Sequence, residues 1–164
     1  MPSLPIVPLP DDPGRNDRTA GEGSVAAVES IADLRDEDLH DLLVDFYDAV
    51  ARDDLLAPYF AAVDMSEHIP VIADFWSTLI FHSGRYQRNA FRPHLEMPGL
   101  APTHFSRWIA TLERTVDERF AGPAAEAMKD YGHRVAYSMQ LRLGLEPFSD
   151  YRAAGRRLAG EGQG

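Results

Sequence analysis

His68-Ile69-Pro70-Val71-Ile72-Ala73-Asp74-Phe75-Trp76 reads as an apolar, aromatic helix that opens on a histidine. Ser66 stands ahead of it as a cap, and Pro70 lies close enough to the first turn to be tolerated. Ile72, Phe75, Trp76, Leu79 and Ile80 form its buried stripe, and Gly84 is expected to end it. The same helical period extends outward in both directions. Upstream, Asp36-Glu37-Asp38 supplies a cap and an acidic first turn, followed by Leu39, Leu42, Leu43, Phe46 and Val50. A shorter helix is marked by Val25, Val28, Ile31 and Ala32. Downstream, Pro102 and Thr103 start a helix carrying Phe105, Trp108, Ile109, Leu112, Val116 and Phe120 on one face. Pro123 opens the last, in which Met128, Tyr131, Val135, Met139 and Leu143 recur before Gly144. Strand-type alternation is absent, so the expected class is all-α.

The chain has 164 residues, enough for one domain with a proper core. Residues 1–23 are expected to be a disordered tail, since five prolines fall within the first thirteen positions without an apolar period. Residues 24–144 form the folded unit. Residues 145–164 form a second tail in which Tyr151 to Leu158 is expected to be a short helix or to fray. The formal charge of -10 repels nucleic-acid backbone, and no basic run offsets it, so neither DNA nor RNA is an expected partner. No apolar run approaches the roughly 20 residues of a membrane span. The absence of cysteine excludes disulfides, thiolate metal sites and cysteine nucleophiles. No secretory leader pattern opens the chain, which points to the cytoplasm.

Six histidines are present, and no two stand four residues apart, so the paired-ligand helix of a zinc protease cannot be built. His68 and His94 are the informative ones. His94 sits in Phe91-Arg92-Pro93-His94-Leu95, a brief element bracketed by Pro93 and Pro98. Two histidines on separate elements with apolar faces suit a flat, greasy ligand held between them, and haem has that chemistry. Phe60, Ile72, Phe75, Trp76, Leu95, Phe105, Trp108, Val135 and Met139 supply the surface such a plate needs. The same residues also suit an ordinary helical core around two ordinary histidines. His40, His82, His104 and His133 are expected at the surface.

Several segments in order give the chain its resemblance to a known family. They are Asp45-Phe46-Tyr47-Asp48-Ala49-Val50, Leu55-Leu56-Ala57-Pro58-Tyr59-Phe60, His68 with Asp74-Phe75-Trp76, and Gly84-Arg85-Tyr86. His94-Leu95 with Pro98 and His104-Phe105-Ser106-Arg107-Trp108 complete the set. From about Asp36 to Leu143 the chain resembles the group III truncated haemoglobins. The resemblance implies a two-over-two helical sandwich around haem b. It implies His94 as the proximal iron ligand, and Tyr47, His68 and Trp108 as distal polar residues with Ile72 among them. Phe60 would lie flat on the porphyrin, with Phe75, Trp76, Phe105, Val135 and Met139 completing the walls. The family tends to have a glycine after Tyr86, where this chain has Gln87-Arg88. Arg88 is therefore a candidate cation for a haem propionate, with Arg85 and Arg92 as rivals.

What the resemblance implies about activity is a b-type haem protein that binds dioxygen, carbon monoxide, nitric oxide or a similar small ligand. A second expectation stays open beside it, a haem redox enzyme. It would act as a nitric oxide dioxygenase or in peroxidase fashion, with an external reductase returning the iron to the ferrous state.

Overall fold

The computed structural model describes residues 30–147. Among these residues there are five α-helices, two short 3-10 segments and no strand. The expected N-terminal tail, Val25 and Val28, and the Tyr151 to Leu158 segment lie outside them. Ile31 and Ala32 are described and are not helical, with Ile31 well exposed, so the short helix expected to include them is not seen there.

Helix α1 (Leu39–Ala51) follows a 3-10 turn at Asp36–Asp38. The backbone N–H of Arg35 donates to the Asp38 carboxylate at 2.9 Å, and three acidic side chains flank the positive end of the helix. All five apolar positions read from its sequence are buried. Helix α2 (Ala57–Phe60) is a single turn, anchored by Asp53, whose Oδ1 accepts from the N–H groups of Leu55 and Leu56. Arg107 pairs with the other Asp53 oxygen at 2.9 Å and ties this corner to a later helix.

Helix α3 (Met65–Phe81) is capped by Asp64, not Ser66. The Asp64 carboxylate accepts from the Ser66 N–H at 3.0 Å and from the Ser66 hydroxyl at 2.6 Å. A charged acceptor is the stronger partner for the orphan amides of a first turn. The helix also stops earlier than Gly84. His82 takes the left-handed conformation (φ 57°), which histidine adopts more readily than most side chains. Helices α4 (Pro102–Asp117) and α5 (Pro123–Arg142) each begin on the expected proline. Phe120 is buried three residues beyond the end of α4.

The start of α5 has a distant cap. Asp33 accepts from the N–H groups of Ala124 and Ala125, both at 3.0 Å. Gly122 permits this approach, since a Cβ there would stand 2.5 Å from the Asp33 carboxyl carbon. Helix α1 packs on α3 and α4, while α5 packs on α4 and α3, giving the two-over-two sandwich. Trp76 and Trp108 stack at 6.4 Å between α3 and α4, and Gly132 lets α5 close on them and on Leu112. Leu112 is fully buried at the centre of this packing. Leu112→Ala is expected to lower the unfolding free energy by about 2–5 kcal/mol, measured by urea denaturation.

Candidate functional site

The helices enclose a cavity of about 490 Å3, large enough for a drug-sized or cofactor-sized molecule. Tyr47, Phe60, His68, Ile72, Phe75, Trp76, His94, Phe105, Trp108, Val135 and Met139 all line it. Six different elements or loops thus contribute to one predominantly apolar chamber. The three polar residues singled out on α1, α3 and α4 are brought together with His94 in the same space.

His94 stands in the 3-10 segment Arg92–Glu96, which enters from a loop shaped by Asn89. The Asn89 side-chain oxygen accepts from the N–H groups of Phe91 and Arg92. His94 Nδ1 lies 3.0 Å from the carbonyl oxygen of Ala90. A carbonyl can only accept, so Nδ1 carries the proton and Nε2 keeps its lone pair. Burial lowers the pKa of His94, opposed by that hydrogen bond, and the neutral ring is favoured. A neutral imidazole with its inner N–H fixed by a carbonyl is prepared to bind a metal through its outer nitrogen. Among the described residues there is no group of three or more His, Asp or Glu side chains able to hold a bare metal ion.

The loop between α3 and His94 is itself tethered. Arg85 makes a two-pronged contact with Asp36 at 2.9 and 3.0 Å and reaches Asp74 through Nε at 2.9 Å. The Thr78 hydroxyl donates to the Asp74 carbonyl and accepts from the Tyr86 N–H at 3.0 Å. Tyr86 then packs edge-on against Phe75, and both line the cavity.

Tyr47 and His68 form the cavity's polar pair, with the hydroxyl 3.1 Å from Nε2. Tyr47 is only 7 % exposed, and burial raises its pKa, so the phenol stays protonated. Phe46 packs edge-on to its ring at 4.9 Å, and Phe60 lies tilted at 5.5 Å. Burial lowers the pKa of His68. For His68 and His94 alike, the unfolded chain takes up the proton first as pH falls. Their contribution to stability is therefore complete above about pH 6.5 and declines below it. Apoprotein stability, followed by urea unfolding from pH 7.5 to 5, should fall over this window. His68→Gln with His94→Gln should flatten the decline, and an unchanged slope would contradict it.

The chain's fold matches the crystal structure of the group III truncated hemoglobin from Campylobacter jejuni with a TM-score of 0.61. That match covers 67 % of this chain and 91 % of the other at 22 % identity. This is the truncated-haemoglobin fold. In sequence, the chain is 24 % identical over 90 residues to the group 3 truncated hemoglobin ctb of the same species. The aligned part covers 51 % of this chain and 71 % of that protein. No family model matches the chain.

On this truncated-haemoglobin fold, Leu95, expected on the apolar surface, and Arg92, a candidate propionate cation, fall outside the cavity lining. Both are exposed, Leu95 being 60 % accessible. Pro93, on one side of His94, lines the cavity with it, whereas Leu95 on the other side stays exposed. Arg85 is engaged by Asp36 and Asp74, whereas Arg88 lines the cavity rim. His104 was expected at the surface, yet it is half-buried and lines the cavity. The signal was available in its spacing. His104 precedes Trp108 by four residues on α4, which places both on one helix face. Tyr59, Tyr86, Met97 and Leu100 also line the wall without having been singled out as site residues. No described helix is long and apolar enough to cross a membrane.

Proposed function

We propose that the chain is a b-type haem protein that binds dioxygen or another diatomic ligand, with residues 24–144 as the haem-binding unit. The observation that carries this reading is the fixed tautomer of His94, which offers a lone pair to a large apolar cavity also lined by Tyr47 and His68. The residues present suit the group. Aromatic and branched side chains match a flat macrocycle, one neutral imidazole matches its iron, and few polar groups remain. The truncated-haemoglobin likeness in sequence and in fold supports the same assignment. Haem, when bound, supplies the iron that takes up the diatomic ligand and places partial negative charge on it.

The protein's own part is to hold and to tune. His94 would fix the plate, and Phe60, Phe75, Trp76, Phe105, Val135 and Met139 would exclude water from its faces. Tyr47 and Trp108 would present donors to the ligand, with His68 acting through the Tyr47 hydroxyl and Ile72 as an apolar neighbour. A cytoplasmic location suits this reading.

The test is the optical absorption spectrum of haem-supplemented protein before and after dithionite, and then with carbon monoxide. An intense Soret band that shifts at each step is the expected result. A folded protein that stays colourless would overturn the proposal.

A second reading rests on the Tyr47–His68 hydrogen bond, which couples two proton-holding groups at the cavity. Such a pair suits redox chemistry on nitric oxide or peroxide, supported by an external reductase. Sustained turnover with reductant supplied would establish it, and a stoichiometric reaction that stops would favour the binding protein.

A further inference from the structure

We propose that His104 is a carboxylate-binding residue of the cavity, donating its Nε2–H to a propionate of haem; this rests on the haem reading above. The Ala101 backbone N–H lies 3.0 Å from His104 Nδ1. A backbone amide can only donate, so Nδ1 is the unprotonated nitrogen and the neutral ring carries its proton on Nε2. His94 has the opposite assignment, because a carbonyl faces its Nδ1. Two histidines therefore offer opposite chemistry to one cavity. His94 presents a lone pair, which suits iron, and His104 presents an N–H, which suits an acceptor.

The surroundings hold His104 in that role. Rotating the ring would abandon the Ala101 bond. Tyr59 packs edge-on to the imidazole at 5.2 Å, and its own hydroxyl is engaged by the Pro98 carbonyl at 2.9 Å. No acceptor among the described residues takes the His104 Nε2–H, although the ring lines the cavity. Its half-buried position suits a carboxylate, which can meet the donor and keep water on its other side. The carboxylates of Asp64 and Glu67 also border the cavity and disfavour a propionate near them.

The alternative is that His104 serves only to cap α4. His104→Glu separates the two roles. Glutamate at this third helical position can still accept from the Ala101 N–H, as in a capping box, but it has no donor and carries negative charge. Haem loss to excess apomyoglobin is measured for wild type and His104→Glu, loaded with protohaem or with its dimethyl ester. Apoprotein thermal melting confirms that the variant is folded. The expected result is about tenfold faster loss of protohaem from His104→Glu, with the dimethyl ester changed by less than about twofold. Equal acceleration for both porphyrins, or no acceleration for either, would overturn the proposal. Failure of the wild type to take up haem at all would remove the haem reading itself, and that outcome shows before any variant is compared.

Discussion

A His94→Gly variant supplied with haem is expected to lose the histidine-ligated ferrous spectrum and to regain it with added imidazole. The substitution removes the ring but leaves the apolar walls, which are supplied by α1, α3, α4 and α5. It opens a space in the 3-10 segment where a free imidazole fits. Losing even the partner that orients a metal-bound histidine typically costs about 10–100-fold in affinity. Losing the ligand itself should exceed that range, so haem titration of the variant should weaken by more than about 100-fold. His104→Leu is the matched control, since it removes another cavity histidine whose tautomer does not suit iron. It should keep the ferrous spectrum. If His94→Gly keeps it and His104→Leu loses it, the assignment of the two rings is reversed. If both keep it, neither ring is the ligand.

The opposing tautomers show where sequence reasoning succeeds and where it stops. The stripes of α1 and α4 were legible because water selects one face of a helix, and that face repeats every three to four residues. Leu39, Leu42, Leu43, Phe46 and Val50 are buried as their spacing requires. His94 stood out because prolines isolate it in a short element. Its Ala90 contact was not legible, since it depends on how an irregular loop closes. The boundaries of α3 were misplaced by the usual preferences for serine and glycine. Asp64 gave a stronger cap two residues earlier, and His82 accepted a left-handed backbone. The Asp33 cap of α5 spans about ninety residues and has no local signature. Leu95 was expected on the apolar surface and is exposed, because a short irregular segment has no helical period from which to read side-chain direction. His104 shows the converse error, because its first-turn position concealed a cavity-facing side chain.

Tyr47→Phe should accelerate dioxygen dissociation by about 10–100-fold, the equivalent of losing one hydrogen bond of about 1.5–3 kcal/mol to a charged acceptor. The substitution keeps the ring that packs against Phe46 and Phe60, so the loss is confined to the hydroxyl. Burial keeps that hydroxyl protonated at neutral pH, and its protein partner is His68 at 3.1 Å. One proton lies between those two atoms. When a partly negative ligand draws the Tyr47 O–H, His68 must present Nε2–H to the phenolic oxygen, so the histidine changes tautomer to support the donor. His68→Leu should therefore weaken the Tyr47 contribution, and the double variant should dissociate little faster than Tyr47→Phe alone. That non-additivity is the mark of two residues acting as one unit. Carbon monoxide, which acquires less negative charge, should respond less to either change. Stopped-flow dissociation of both gases from the four proteins measures all of this. Unchanged dioxygen release from Tyr47→Phe would mean that the hydroxyl serves His68 alone, and the donor role would pass to Trp108, whose indole also lines the cavity.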